Sequence, residues 1–212
     1  FAIDETTGVV TVAVALDYET AQSHEITVLA TSADGSSESG TVTIAVGNVN
    51  DNTPVATPPA AVDLAEDAAA GDIAGAVVTA KDADGTLNPL TFSLVGAPTD
   101  GSANDLFAID PTNGQISLTA AGAAFIDFES TESYTLDVEA SDGTNANTTQ
   151  VTINLTDVND NPVVGPDDTD DAADAVEEDA GLGAVVGVTA FASDADAGGQ
   201  TITYTLSNNP GG

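Results

Sequence analysis

Four kinds of acidic motif, each just outside a strand-like stretch, carry the chemistry this chain could perform. They are single glutamates (Glu66, Glu178), Asp-x-Asp pairs (Asp82/Asp84 and Asp194/Asp196), acids flanking an aromatic (Asp17/Glu19 and Asp127/Glu129), and Asn-rich stretches running from Asn48 to Asn52 and from Asp157 to Asn161. Oxygen-only donors without His or Cys partners suit a hard cation. Calcium takes about 6–8 oxygens from carboxylates, amides and backbone carbonyls. Zinc and copper would call for nitrogen or sulfur. The whole chain is biased the same way, with 35 Asp+Glu against one Lys+Arg and a formal net charge of -34 over 212 residues. The one basic side chain, Lys81, cannot neutralise a run of phosphates, so nucleic acid is excluded as a partner, and an anionic membrane surface with it. No apolar run approaches the ~20 residues of a membrane span, which argues against direct membrane insertion. Cysteine and methionine are absent, so neither disulfides nor thiolate chemistry enter.

The elements that must position these acids read as strands. Val42, Ile44 and Val46 alternate with polar or small residues, as do Tyr134, Leu136, Val138 and Ala140, then Val151, Ile153 and Leu155. Leu90, Phe92 and Leu94, and again Ile202, Tyr204 and Leu206, repeat the period of two that marks a strand with one wet face. No capped stretch of helical period competes. The chain is predicted to be all-β.

Self-similarity then sets the organisation. Phe1-Ala2-Ile3-Asp4 returns as Phe107-Ala108-Ile109-Asp110, Asp17-Tyr18-Glu19 as Asp127-Phe128-Glu129, and Asn50-Asp51-Asn52 as Asn159-Asp160-Asn161. Glu66-Asp67 returns as Glu178-Asp179, and Asp82-Ala83-Asp84 as Asp194-Ala195-Asp196. The period is about a hundred residues, a usual β-sandwich size. In phase with the complete middle copy, 1–52 is the second half of a repeat, 53–161 a whole repeat and 162–212 the first half of another. Phe1 does not read as a natural start, and the chain reads as a two-repeat unit cut out of phase from a longer array. Its complementary halves could be joined covalently or by donation from one chain to the next.

These motifs resemble the cadherin repeat. Asp157-Val158-Asn159-Asp160-Asn161-Pro162 matches the family's junction sequence, Leu16-Asp17-Tyr18-Glu19 and Ile126-Asp127-Phe128-Glu129 its LDRE motif, and Ala140-Ser141-Asp142 its late-strand A-x-D. The resemblance covers the whole chain. It implies tandem Greek-key β-sandwiches with calcium-binding junctions. By the family's pattern, the second junction would draw on Glu66, Asp127, Glu129, Asp157, the Val158 carbonyl, Asn159, Asp160, the Asn161 carbonyl, Asp194 and Asp196. Seven carboxylates meet there, which about three divalent ions would neutralise. The first junction would use Asp17, Glu19, Asn48, the Val49 carbonyl, Asn50, Asp51, the Asn52 carbonyl, Asp82, Asp84 and Asp142, with Glu178 serving the equivalent junction of the next unit. Asn48 replaces the family's Asp, which lowers the expected affinity. The A-x-D position of the first half reads Ala30-Thr31-Ser32 and lacks its acid. The absence of tryptophan and near absence of basic residues look more like microbial cadherin-like arrays than animal receptors.

The same residue types have blander uses. Lone Asp-x-Asp pairs are usually just solvated, and the run from Asp167 to Asp179 reads as a solvated linker face apart from Glu178. Asp82-Ala83-Asp84-Gly85 starts like an EF-hand loop, but Thr86 follows and no Glu stands at the twelfth position. His24 aligns with Tyr134 and reads as a strand residue rather than a base. Asn147-Thr148-Thr149 and Asn154-Leu155-Thr156 fit a glycosylation pattern common by chance. The expected role is a calcium-stiffened structural repeat of an extracellular or cell-surface adhesin or fibre, with calcium and neighbouring repeats of the same or an identical chain as partners, including homophilic head-to-tail contacts. The alternative is a carbohydrate- or protein-binding module of a surface protein. No enzymatic activity and no cofactor besides calcium are expected.

Overall fold

The computed structural model describes residues 1–72, 75–85, 87–196 and 201–208. Chain order runs through β1 (Ala2–Ile3), β2 (Val10–Thr11), β3 (Ser23–Thr31), β4 (Ser37–Ala45), β5 (Val55–Thr57), β6 (Val62–Ala65), β7 (Thr79–Lys81), β8 (Thr91–Val95), β9 (Phe107–Ile109) and β10 (Ile116–Leu118). It continues with a single helical turn α1 (Ala120–Ala123), then β11 (Ser133–Ser141), β12 (Ala146–Thr156), β13 (Val164–Asp168) and β14 (Ala190–Ser193). The fold is all-β. The short α1 is the one helical departure from the expectation among the described residues. Its N-cap, Thr119, accepts from the Gly122 amide, which is enough to close one turn but leaves no periodicity to read.

The core lies in the middle of the chain. One layer is a four-stranded sheet in the order β6-β12-β11-β8, with β6 parallel to β12 and the other pairs antiparallel. The facing layer is built from β5-β7 and β9-β10, joined by a bridge between Val77 and Gln115. Alternation along β11 and β12 sends Leu136, Val138, Ala140, Val151, Ile153 and Leu155 inward, all nearly or fully inaccessible, against Leu106, Phe107 and Ile116. Each fully buried side chain of this size contributes roughly 1.5–3 kcal/mol. That sum is what holds the acid-bearing loops at either end of the sandwich.

Residues 1–47 copy the later half of this sandwich strand for strand. Ile3 pairs with Val10 as Ile109 pairs with Ile116, and His24 pairs with Ile44 as Tyr134 pairs with Ile153. Even the aromatic contact recurs: Phe1 meets His24 edge-on at 5.6 Å and Phe107 meets Tyr134 edge-on at 5.5 Å. His24 is thus a strand residue on a ring contact, as its alignment predicts. β13 and β14 pair as β5 and β7 do, so the head of the acidic run, Asp167–Asp168, is strand rather than linker. Asp168 accepts from the Thr189 amide, and that bond holds its carboxyl below the usual carboxylate range. Ile202–Leu206, expected as a strand, is not one. Its counterpart β8 owes its form to pairing with β11, and residues 202–206 have no such neighbour among the described residues.

Candidate metal centre

Backbone ladders end where the acids begin, so the loops at each sandwich end carry carboxylates on short tethers to rigid strands. Asp82 and Asp84 follow β7, Asp127 and Glu129 precede β11, Asp142 closes the β11–β12 turn, and Asp157 to Asn161 leave β12. Two acidic centres result.

At the first, Asp84 is only 4% exposed and Asp142 6%. Carboxylate oxygens of Glu19, Asp51 and Asp84 lie within 4.8 Å of one another, as do those of Asp82, Asp84 and Asp142. Amides fill the gaps between them. The Asn52 backbone amide donates to Asp84 Oδ2 (2.9 Å) and its side-chain amide to Asp84 Oδ1 (2.7 Å). Asn48 Nδ2 donates to the Asp84 carbonyl (2.9 Å). With the Asn50 amide turned to satisfy both ends, its nitrogen donates to Asp142 Oδ2 (2.8 Å) and Asp84 Oδ2 (3.1 Å), while its oxygen accepts from Thr144 and Asn88. The Asn52 side-chain donor holds the Asp84 carboxyl below its ordinary range, and the Asn145 backbone donor does the same for Asp142. Asp17 is in neither of these groups, and its carboxylate accepts from the Thr20 amide and hydroxyl. Val49 is exposed.

At the second centre, Glu66 is 5% exposed and Asp196 7%. Glu66 accepts from the Phe128 amide (2.5 Å) and the Val158 amide (2.7 Å), tying the two acidic loops together. Oxygens of Glu66, Glu129 and Asp160 gather within 4.8 Å of one another, and so do those of Glu129, Asp157 and Asp196. Asn161 repeats the role of Asn52, donating to Asp196 Oδ1 from its backbone (3.1 Å) and side chain (3.0 Å), and also to Glu129 Oε2 (3.1 Å). Like charge is less well met here. Burial, then the charges of Glu66, Asp196, Asp127 and Asp157, push the Asp160 carboxyl up. Burial also lifts Glu129, with Glu66 and Asp157 adding to it. Burial alone would lift Asp196, but the Asn161 donors outweigh it and leave that carboxyl lowered. Asp127 is lowered by the Ser130 hydroxyl. Asp194 accepts from the Asp196 amide (3.3 Å), and Asn159 is exposed. Glu178 is exposed and belongs to neither cluster.

Whether such a site fits a cation can be judged from its donors. Buried oxygens with no hydrogen-bond partner among the described residues are Asn48 Oδ1, Asp82 Oδ2, Asp157 Oδ1 and Asp196 Oδ2. Every one is a hard oxygen on a residue expected to ligate, and a buried acceptor without a donor is costly unless something positive meets it. Three residues outside the expected set also enter the first centre: Asn145 donates to the Asn52 carbonyl (2.9 Å), with Asn88 and Thr144 on Asn50. The Asp142-Gly143 turn signal places Asn145 in a loop, but nothing in the sequence couples it to Asn52.

Known proteins share this plan. The chain matches the Cadherin domain family over residues 1–47 and 60–156. It is 37% identical to human Protocadherin Fat 1 over 172 residues, which is 77% of this chain and 4% of that protein. It is 36% identical to the Drosophila melanogaster Protocadherin-like wing polarity protein stan over 208 residues, 95% of this chain and 6% of that one. Among solved structures, mouse Cadherin-23 EC22-24 superposes with a TM-score of 0.62 at 29% identity, covering 86% of this chain and 57% of the other. The Protocadherin gammaB7 EC3-6 cis-dimer gives 0.66 at 25% identity, covering 86% and 45%. The chain thus spans a small fraction of the length of its full-length relatives.

Proposed function

The chain belongs to the cadherin family, and from that premise we propose that it is a calcium-stiffened structural segment of an extracellular or cell-surface array that serves cell adhesion, as a spacer or a fibre element. Residues 1–52, 53–161 and 162–212 are assigned as a latter half-repeat, a whole repeat and a leading half-repeat. The ligands assigned at each junction are those named from the family pattern above. The observation that carries the reading is the convergence of buried, unpartnered carboxylate oxygens of Asp157 and Asp196 where residues 157–161 meet the next sandwich. A divalent ion bound there supplies the positive charge that lets the acids approach. The residues' own part is to hold position: Glu66 pins the Phe128 and Val158 amides, and Asn161 pins Asp196 across the junction. Ions that bind the aligned junction and not the flexed one stabilise alignment by mass action, by about 2.7 kcal/mol at a hundredfold excess over Kd.

Thermal melting of the chain in calcium, magnesium and chelator tests the reading. Calcium is expected to raise the midpoint well above that in chelator, and more than magnesium does. Coincident melts in calcium and chelator would overturn it. The reading calls for no reaction, and none is assigned.

A further inference from the structure

Resting on the calcium reading above, we infer that the side-chain amide of Asn50 is a built-in competitor of the ion at the first junction, held in place by Asn88 and Thr144, and that it turns over when the ion binds. Three carboxylates meet here, with oxygens of Asp82, Asp84 and Asp142 within 4.8 Å of one another. An Asn side chain carries N–H donors at one end of its amide and an acceptor oxygen at the other. Around Asn50 the neighbours are sorted to match. On one side stand two acceptors, Asp142 Oδ2 at 2.8 Å from the nitrogen and Asp84 Oδ2 at 3.1 Å. On the other stand two donors, the Thr144 hydroxyl at 3.3 Å from the oxygen and the Asn88 side-chain amide. The opposite orientation would set the Asn50 oxygen against two carboxylate oxygens.

A bridging donor and a bridging cation answer the same need, since either stabilises a buried carboxylate. The other oxygens of the group are nearly all served by donors from the chain itself. Asp84 takes the Asn52 backbone amide on Oδ2 and its side-chain amide on Oδ1. Asp142 Oδ1 accepts from the amides of Thr144 (2.6 Å) and Asn145 (2.7 Å), and Asp82 Oδ1 from the Asp84 amide (2.9 Å). The Asn145 backbone donor does most to hold the Asp142 carboxyl below its ordinary range, and the Asn50 side chain adds to it. Asp82 Oδ2 is the oxygen of the group left buried with no donor among the described residues. The amide thus fills the gap between Asp84 and Asp142 and leaves one carboxylate oxygen open to a cation.

Calcium takes oxygens at about 2.3–2.6 Å and has no use for an N–H pointed at it. The nitrogen-inward amide is therefore incompatible with an ion that bridges Asp84 and Asp142, whereas the oxygen of the same side chain is a suitable ligand. To admit the ion, Asn50 turns its amide through half a turn and gives up both carboxylate contacts together with those to Thr144 and Asn88. Neither Thr144 nor Asn88 is in the ligand set named from the family pattern. They are positioning residues that act through Asn50. Without the ion, the amide keeps Asp84 and Asp142 bridged and the junction loop in register. With it, the hydrogen bonds given up are subtracted from binding, so the first junction fills at a higher calcium concentration than its carboxylates alone would set.

A calcium titration of the full chain followed by proton–nitrogen NMR tests this. The Asn50 side-chain amide protons are expected downfield in chelator, as donors to carboxylates, and to move upfield as the first junction fills. Asn88→Ala removes a donor from the Asn50 oxygen and is expected to tighten calcium binding at the first junction roughly three- to tenfold, the worth of one hydrogen bond. Thr144→Val, at an exposed position, is expected to act in the same direction. A merely structural role for these two residues would leave calcium binding unchanged or weaken it, and either result in both variants overturns the inference. An Asn50 amide that stays in place while the backbone amides of residues 48–52 respond to calcium overturns it as well. The second junction separates this failure from that of the calcium reading. Backbone amides of residues 157–161 that respond to calcium, with no tightening in either variant, sink the competitor and spare the ion, whereas no response at either junction in any of the three chains sinks both.

Discussion

The two acidic junctions are built from the same motifs at the same register, yet they manage their charge differently. At the first, Asn48, Asn50, Asn52 and Asn145 thread amide donors among the acids, and Asp84 and Asp142 ionise more readily than ordinary carboxyls. At the second, Asp157 stands where Asn48 stands, and Asp160 and Glu129 ionise less readily. Amides can stand in for part of a cation's work, because a buried carboxylate needs donors or positive charge and is indifferent to which arrives. A junction rich in amides is therefore partly satisfied by itself. On the proposed calcium reading, one rich in acids would depend on the ion for its alignment.

The comparison breaks most sharply at Glu66. Its removal leaves the Phe128 and Val158 amides without their carboxylate acceptor. Glu66→Ala should cost about 1–3 kcal/mol in denaturant unfolding even in chelator, since two part-buried donors lose their acceptor. A loss under half a kilocalorie would mean that water replaces the carboxylate without penalty.

A reciprocal exchange sharpens it next. Asp157→Asn should weaken calcium binding at the second junction roughly tenfold, about 1.4 kcal/mol, and Asn48→Asp should strengthen the first, because calcium affinity follows ligand charge. Competition titration against a fluorescent chelator measures both. Unchanged affinities would detach the Asn48/Asp157 difference from calcium altogether.

The smallest effect is in pH, and at the second junction it is mixed in sign, because Asp196 and Asp127 are lowered while Asp160 and Glu129 are raised. Without calcium, the raised carboxyls of Asp160 and Glu129 retain protons in the aligned state, so alignment of the second junction weakens as pH rises past their ordinary values of 3.8 and 4.5. The lowered Asp84 and Asp142 make contacts that are present above 3.8 and lost as pH falls through their folded values. Amide proton shifts of Asn52 and Asn161 followed by NMR in chelator should therefore report loss of the Asp84 and Asp196 contacts on acidification, while the side-chain carboxyl carbons of Asp160 and Glu129 take up protons above 3.8 and 4.5. Protonation of Asp160 and Glu129 only at or below those values would contradict the contrast.

Much of this was legible in the sequence because the repeat reads twice. Offsets between Phe1 and Phe107, or Asp84 and Asp196, predict which strands copy which, and acids of both copies gather just beyond the strands. Features that depend on non-local partners were not. Ile202, Tyr204 and Leu206 alternate as faithfully as Leu90, Phe92 and Leu94, but alternation supplies one face and not a neighbouring strand. Asn145 reaches Asn52 across 93 residues, a contact set by the packing of the β11–β12 turn on the junction loop. Asp17 and Glu19 are two residues apart and equally acidic, yet only Glu19 joins a cluster, because Thr20 captures Asp17 locally.

Amide hydrogen exchange followed by mass spectrometry during a calcium titration tests the central claim most directly, since it reads each junction separately in one chain. Protection of residues 157–161 should rise with calcium and saturate first, with residues 48–52 following at higher concentration and magnesium substituting poorly. Exchange at both segments that stays unchanged from chelator to saturating calcium would contradict the account.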